Sequence, residues 1–333
     1  GSSYNTLDNR FLENQIQDQR WDNDQDRSRH NVLPFHFVLS HKAVGCKLQG
    51  FAALSSAQHK KGKKKVIPDP HYIDDRNRRS TGFQHWKNNT GKKLKLECYN
   101  ELNDKRKADA IVVLSTFMKD RAVENGIDSE KIFIVPGGSI VKDVKPLYPS
   151  YSSVEKRKIN IAYIGINNHE IDLIAPFIEA LKCENVKNSY RLILYGNTIS
   201  NEKWNQLGLS EIAEYRGWLD YSKDVSTLKD IDVFLQLLDD NNVSKAGWPN
   251  KLGDYLAFGK PVILSPYGDI IDFVKNEKGF FIVEYNKYSI LKILQEIKDI
   301  PYSDLKTMGY ANRQLAEKIS WKNRAKNIEY ICN

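Results

Sequence analysis

The chain has 333 residues, with 50 Lys and Arg against 42 Asp and Glu and a formal net charge of +8. That length accommodates two domains of ordinary size, each with its own core, and no apolar run approaches the roughly 18 residues that a membrane-spanning helix needs. The four cysteines, Cys46, Cys98, Cys183 and Cys332, are too scattered for a zinc site and too few for a disulfide framework, so a reducing cytoplasm is the compartment they imply.

Residues 1–30 are polar, and Gly1-Ser2-Ser3 reads as an expression scar. From Leu33 the pattern improves. Phe35–Leu39 is a candidate strand, Val44–Gln58 a helix, and Lys65–Pro68 a short strand that runs into Asp69-Pro70-His71-Tyr72-Ile73-Asp74-Asp75-Arg76, a loop unusually dense in polar groups. Leu94–Leu102 reads as a helix and Ala108–Leu114 as the next strand. Residues 31–150 hold 22 Lys and Arg against 12 Asp and Glu, a net of +10, while residues 1–30 carry −2 and the remainder balances. The excess peaks in His59-Lys60-Lys61-Gly62-Lys63-Lys64-Lys65. Such a run suits an anionic membrane surface, at about 1 kcal/mol per Lys, or simply a solvated turn. Its lysines lack interleaved aromatics, which argues against nucleic acid as a partner.

The second half alternates short apolar strands with helical segments. Lys158–Gly165, Arg191–Gly196, Ile231–Leu238, Pro261–Ser265 and Gly279–Val283 are the strands, and Ile171–Leu181 is a helix. This alternation predicts βαβ units and a parallel sheet covered on both faces, with ligands beyond the carboxyl ends of the strands, where Gly165 and Gly196 fall. Between the third and fourth strands lies Trp248-Pro249-Asn250-Lys251-Leu252-Gly253-Asp254-Tyr255. Pro249 suits the first helical position, and Gly259 a left-handed stop before Pro261. A helix opening there directs free amides and a positive dipole end at an anion, and Lys251 adds a full charge. Asp254, three residues on, shares its face and could accept hydrogen bonds from ribose hydroxyls. The bland alternative is an exposed Lys/Asp pair.

The chain from about Lys107 onward resembles the retaining glycosyltransferases of family four. The residues that carry the resemblance are Ala108–Ser115 with Lys119, Lys131–Ser139, the Gly165 strand, Arg216-Gly217-Trp218-Leu219, the Lys251–Ser265 block and Trp321. It implies an α/β fold of two Rossmann-like domains (GT-B), the amino-terminal one reduced or truncated. Residues 31–145 would form the acceptor side, 146–318 the nucleotide-sugar domain, and 319–333 a helix returning to the first domain. By the same resemblance the activity is transfer of a sugar from a UDP- or GDP-type donor to a glycan, lipid or protein acceptor, with retention. No cofactor is expected, and with no Asp-x-Asp element of the kind that metal-dependent transferases use, no metal is either.

Residue by residue, the resemblance puts Lys251 at the diphosphate, Asp254 at the ribose, Gly165 at the phosphates or sugar, and Trp218 with Leu219 at the base. Gly268 and Asp269 fall near the donor sugar. Pro249, Asn250 and Leu252 complete the helix start, and His71, Asp74, Asp75 and Arg76 face the acceptor, with His71 the side-chain candidate for a general base. Ala246 occupies the position of the first glutamate of the family's spaced pair, with Ser244 or Lys245 as substitutes, and the Gly165 loop offers Asn167, Asn168 and His169 where a cation is usual. A GT-B relative that binds a nucleotide sugar but is inactive, or needs a partner subunit, is the alternative. The expected location is cytoplasmic, with peripheral membrane contact through the basic half.

Overall fold

The computed structural model describes residues 66–68, 102–142, 144–148, 158–168, 170–220 and 224–332. The expected strand and helix at Phe35–Leu39 and Val44–Gln58, and the segment Asp69–Arg79, lie outside them. Two parallel sheets form among the described residues, within the compact unit Lys64–Asn333. The smaller joins β1 (Val66–Pro68), β2 (Ala110–Val113) and β3 (Ile132–Ile134), with Val66 opposite Ala110 and Ile111 opposite Ile132. The helix α1 (Thr116–Glu124) covers one face of β2 through Met118 and Ala122, which pack with Ala108, Ile111 and Ile132.

The larger sheet has six strands in the order β6-β5-β4-β7-β8-β9. These are β4 (Ile159–Ile166), β5 (Tyr190–Gly196), β6 (Ala213–Tyr215), β7 (Val233–Leu237), β8 (Val262–Ser265) and β9 (Phe280–Ile282). Five of the six correspond to predicted strands. The edge strand β6 is three residues of Ala-Glu-Tyr, too short and too polar to stand out, and it exists because Leu192, Ile193 and Leu194 of β5 present a free edge to it.

Alternation along the strands splits the core into two layers. Ile161, Tyr163, Leu192 and Leu194 face α2 (Glu170–Leu173), α3 (Ala175–Leu181) and, further along the chain, α8 (Lys287–Ile297). Ala162, Ile164, Ile193 and Tyr195 face α6 (Asn250–Phe258), α7 (Asp269–Val274) and α9 (Tyr302–Lys318). The predicted single helix Ile171–Leu181 is two, broken at Ile174. Pro176 in the first turn of α3 has no N–H to continue the ladder.

Short polar ties join the smaller sheet to the larger. Ser115 caps α1 by accepting from Met118 N and donates its hydroxyl to Ala246 O at 2.8 Å. Asp269 accepts from Thr116 N and Oγ1 at 2.8 and 3.1 Å, and Ser139 Oγ donates to Gly253 O at 2.5 Å. The last helix, α10 (Trp321–Cys332), sets Ile328 and Ile331 against Ala110, Val112, Phe133 and Val135.

Candidate nucleotide-sugar site

The chain leaves β4 toward β5 and β6 on one side, then crosses to β7, β8 and β9 on the other. The gap between β4 and β7 is therefore the topological switch point, where crossovers depart in opposite directions and leave a crevice. A cavity of about 310 Å³ opens there, lined by Tyr163 from β4, Glu170 and Leu173 from α2, Gln236–Asp239 from the end of β7, Asn241, Val243 and Ser244 from the cap and body of α5 (Asn242–Ala246), and Gly247–Lys251 from the approach to α6 and its start.

The start of α6 follows its sequence. Gly259 ends the helix with φ 67°, and Pro249 stands just before Asn250 in extended conformation, one position earlier than expected, with no side-chain cap. Lys251 Nζ donates to Tyr163 OH at 3.2 Å, lies 4.6 Å from the centroid of that ring, and is 3.7 Å from Glu170 Oε2. Tyr163 OH in turn donates to Glu170 Oε2 at 2.7 Å. The ammonium is thus held over the end of β4 by a ring and a part-exposed carboxylate. Gly165, with φ 85°, passes beneath it, and a Cβ there would lie 2.8 Å from Lys251 Cε. Tyr255, one turn inside α6, stacks on Phe234 at 4.2 Å and accepts from Ile164 N at 3.0 Å. Burial raises its hydroxyl pKa well above the ordinary value.

Of the predicted residues, Lys251, Pro249, Asn250 and Ser244 line the cavity together. Leu252 does not, because it is fully buried in the core beside Tyr255 and Leu256. Lys245 turns away to Asp240 at 2.6 Å. Asp254 is half-buried on α6 and is not part of the lining. Trp218 is 51% exposed and Leu219 buried, beyond the end of β6, where Gly196 N donates to Gly217 O. Arg216 of the same motif is held by Glu214 and Asp230 at 2.8 and 2.7 Å, and the hydrogen bonds it donates to Asp230, foremost, raise its pKa further. His71, Asp74, Asp75, Arg76 and His169 lie outside the described residues. Asn167 caps α2 through Glu170 N, and Asn168 Oδ1 accepts from Ser200 N. Asp269 serves Thr116, as described above.

Sequence reasoning passed over Tyr163, Glu170, Gln236, Asp239, Asn241 and Trp248. The signal available for part of this set was the polar cluster Asp239-Asp240-Asn241-Asn242 directly after an apolar strand. Asp239 Oδ1 accepts from Asn241 Nδ2 at 2.7 Å and from Ser244 Oγ at 3.2 Å. Nearby, burial and then Asp240 and Asp239 raise the Tyr267 pKa. Two buried polar atoms of the lining residues, Gln236 Oε1 and Trp248 Nε1, have no hydrogen-bond partner among the described residues. Among those residues no group of three or more His, Cys, Asp or Glu is placed to hold a metal, and no helix is long and apolar enough to cross a membrane.

The fold defined by these sheets is α/β of the GT-B type. Residues 158–298 match the family model described as "Glycosyl transferases group 1". Among solved structures, the chain is similar to sucrose-phosphate synthase from Thermosynechococcus elongatus (TM-score 0.54, 14% identity, covering 76% of this chain and 65% of that one). It is similar also to HepE from Anabaena in complex with UDP and glucose (TM-score 0.51, 12% identity, 69% and 66%). A third is a mutant of TarM from S. aureus in complex with fondaparinux, α-GlcNAc-glycerol and UDP (TM-score 0.50, 16% identity, 72% and 46%). The chain thus spans less than two thirds of the length of each of these proteins. None of the curated proteins compared with it matches.

Proposed function

We propose that this protein is a glycosyltransferase of the group 1 type, moving a sugar from a nucleoside-diphosphate sugar to a glycan, lipid or protein acceptor, with retention and without a metal. The observation that carries the reading is the cavity at the switch point, with the amino terminus of α6 and Lys251 together at its lip. Departure of a nucleoside diphosphate leaves negative charge on phosphate oxygens, and a fixed donor aimed at that charge contributes about 3–4 kcal/mol. The helix dipole and the ammonium are such donors, and they need no metal. Glu170 at 3.7 Å is a part-exposed partner that a diphosphate, with its greater charge, displaces. In this reading Gly165 gives the phosphates room, Asp254 takes the ribose, Trp218 and Leu219 the base, and the segment with His71, Asp74, Asp75 and Arg76 the acceptor. HepE and TarM were both determined with UDP, which favours UDP over GDP. The proposed location is the cytoplasm, with His59–Lys65 touching anionic membrane.

Calorimetry with UDP, GDP and their sugars tests the reading. Lys251→Ala should weaken nucleotide binding about 10- to 100-fold, the loss of one charge-assisted contact. A wild-type protein indifferent to every nucleotide would overturn it. A second reading, binding without transfer or only with a partner subunit, is favoured by Ala246. Its methyl group is 1% exposed and packed with Ile111 and Val113, so nothing at that position reaches a sugar. Release of sugar from the bound donor, with or without acceptor, separates the two.

A further inference from the structure

We infer that Glu170 sets the order of affinity at this site: its carboxylate loosens the spent nucleoside diphosphate more than it loosens the sugar donor. This rests on the nucleotide-sugar reading above and adds to it how the site is emptied. Among the described residues that line the cavity, two carboxylates, Glu170 and Asp239, face one ammonium, Lys251. A site built only to retain a diphosphate would carry the opposite balance. Asp239 accepts hydrogen bonds from the neutral groups Asn241 Nδ2 and Ser244 Oγ. Glu170 Oε2 instead stands 3.7 Å from Lys251 Nζ, and both side chains reach solvent, Glu170 at 20% exposure and Lys251 at 32%.

The ammonium is not all that fixes Glu170. Its Oε2 accepts from Tyr163 OH at 2.7 Å, the Tyr163 ring is buried in the core, and its backbone amide donates to Asn167 Oδ1 at 2.8 Å at the start of α2. A diphosphate that takes over Lys251 therefore leaves the carboxylate in its bond from Tyr163. A phosphate oxygen in hydrogen-bond contact with Nζ would then stand at most about 7 Å from Oε2, near enough for like charges to repel through the screening of water and salt. Transfer breaks the bond between the anomeric carbon and a β-phosphate oxygen; the oxygen stays with the nucleotide, the sugar passes to the acceptor oxygen, and the acceptor's proton goes to solvent. The charge of the nucleotide rises from about −2 to about −3, since a terminal phosphate is mostly a dianion at neutral pH. That added charge strengthens the attraction to Lys251 and to the start of α6, and repulsion by Glu170 offsets the gain.

The experiment measures binding of UDP, its β-methyl ester and UDP-glucose, with GDP and GDP-mannose as the guanosine pair, to the wild type, Glu170→Gln and Glu170→Ala. The ester carries the charge of the donor without its sugar. Both variants should bind UDP more tightly, and the affinity for UDP relative to the ester should rise about fivefold, the effect of one charge at this range. UDP-glucose should follow the ester. Glutamine keeps an acceptor for Tyr163 OH and alanine does not, so a shift shared by both variants belongs to the charge and not to the hydrogen bond. Equal tightening of UDP and ester, no change in either, or weakening of both overturns the assignment while nucleotide binding stands. Failure of UDP and GDP alike to bind the wild type removes the underlying reading and this inference with it.

Discussion

At Gly165 the backbone of β4 takes in one extra residue. The register against β5 shifts between Ile164 and Ile166, and the layer that Ile161 and Tyr163 enter on odd positions is entered next by Ile166. A bulge with positive φ at the carboxyl end of a strand is a common way to re-aim the chain beside a site, and here it clears the space in which Lys251 lies. Gly165→Ala should therefore lose about 1–2 kcal/mol of stability for the left-handed conformation. It should also weaken nucleotide binding, because the new methyl group displaces Lys251. Urea unfolding and calorimetry on the same variant check both, and unchanged affinity would separate Lys251 from the phosphate. The glycine and the lysine were each legible in the chain. Their contact across 86 positions was not, since no local period links them. The placing of Asp254 outside the cavity lining has a related cause: spacing of three residues puts two side chains on one helix face, but the neighbouring strands decide which of them lines the cavity.

Among the elements, α6 is the one whose limits the sequence marked best, through Pro249 and Gly259. Its interior holds a glycine that helix propensity alone would replace, since Ala is favoured over Gly by about 1 kcal/mol. The opposite outcome is expected for Gly253→Ala. A Cβ there would stand 2.3 Å from Gly138 O, backbone that cannot swing aside, and the Ser139 hydroxyl already bonds Gly253 O from the same direction. Overpacking of this kind costs about 1–3 kcal/mol, so the urea midpoint should fall, and a rise would show that α6 and the Gly138–Ser139 segment are not in contact. Helix α5 was not predicted as a helix, its five residues being too few to show a period. It exists because Asn241 caps it, accepting from Ser244 N at 2.8 Å.

Over the whole molecule, the larger sheet buries tyrosines among its apolar side chains. Tyr190 and Tyr255 are each 1% exposed or less, and desolvation, foremost, raises both pKa values above the ordinary value of 10.0. For a group whose pKa is raised on folding, the neutral form is favoured in the native state. Its contribution to stability is complete below the unfolded value and is lost as pH climbs past it toward the folded one. The melting temperature should accordingly hold from neutral pH to about 9 and fall steeply above about pH 10. A melting temperature that stays level through pH 11 would contradict the burial of these hydroxyls. Lys260, fully buried, is used differently: Nζ donates to Ile231 O and Lys229 O, tying the start of β8 to the approach to β7.

The alternation of short apolar runs with helical segments determined the parallel sheet, because a strand buried on both faces must be apolar throughout and its crossover must be a helix. Helix-stop chemistry marked α6, and composition marked the amino-terminal half as the basic one. Strand order was left to the tertiary structure: the step from β6 back across β4 to β7 is a choice among sheet edges that no local pattern encodes. That choice creates the crevice and brings Tyr163, Gln236, Trp248 and Lys251 together. It also turns Leu252 into core and Lys245 toward Asp240, since a side chain's surroundings are set by whichever elements the crossovers lay beside it.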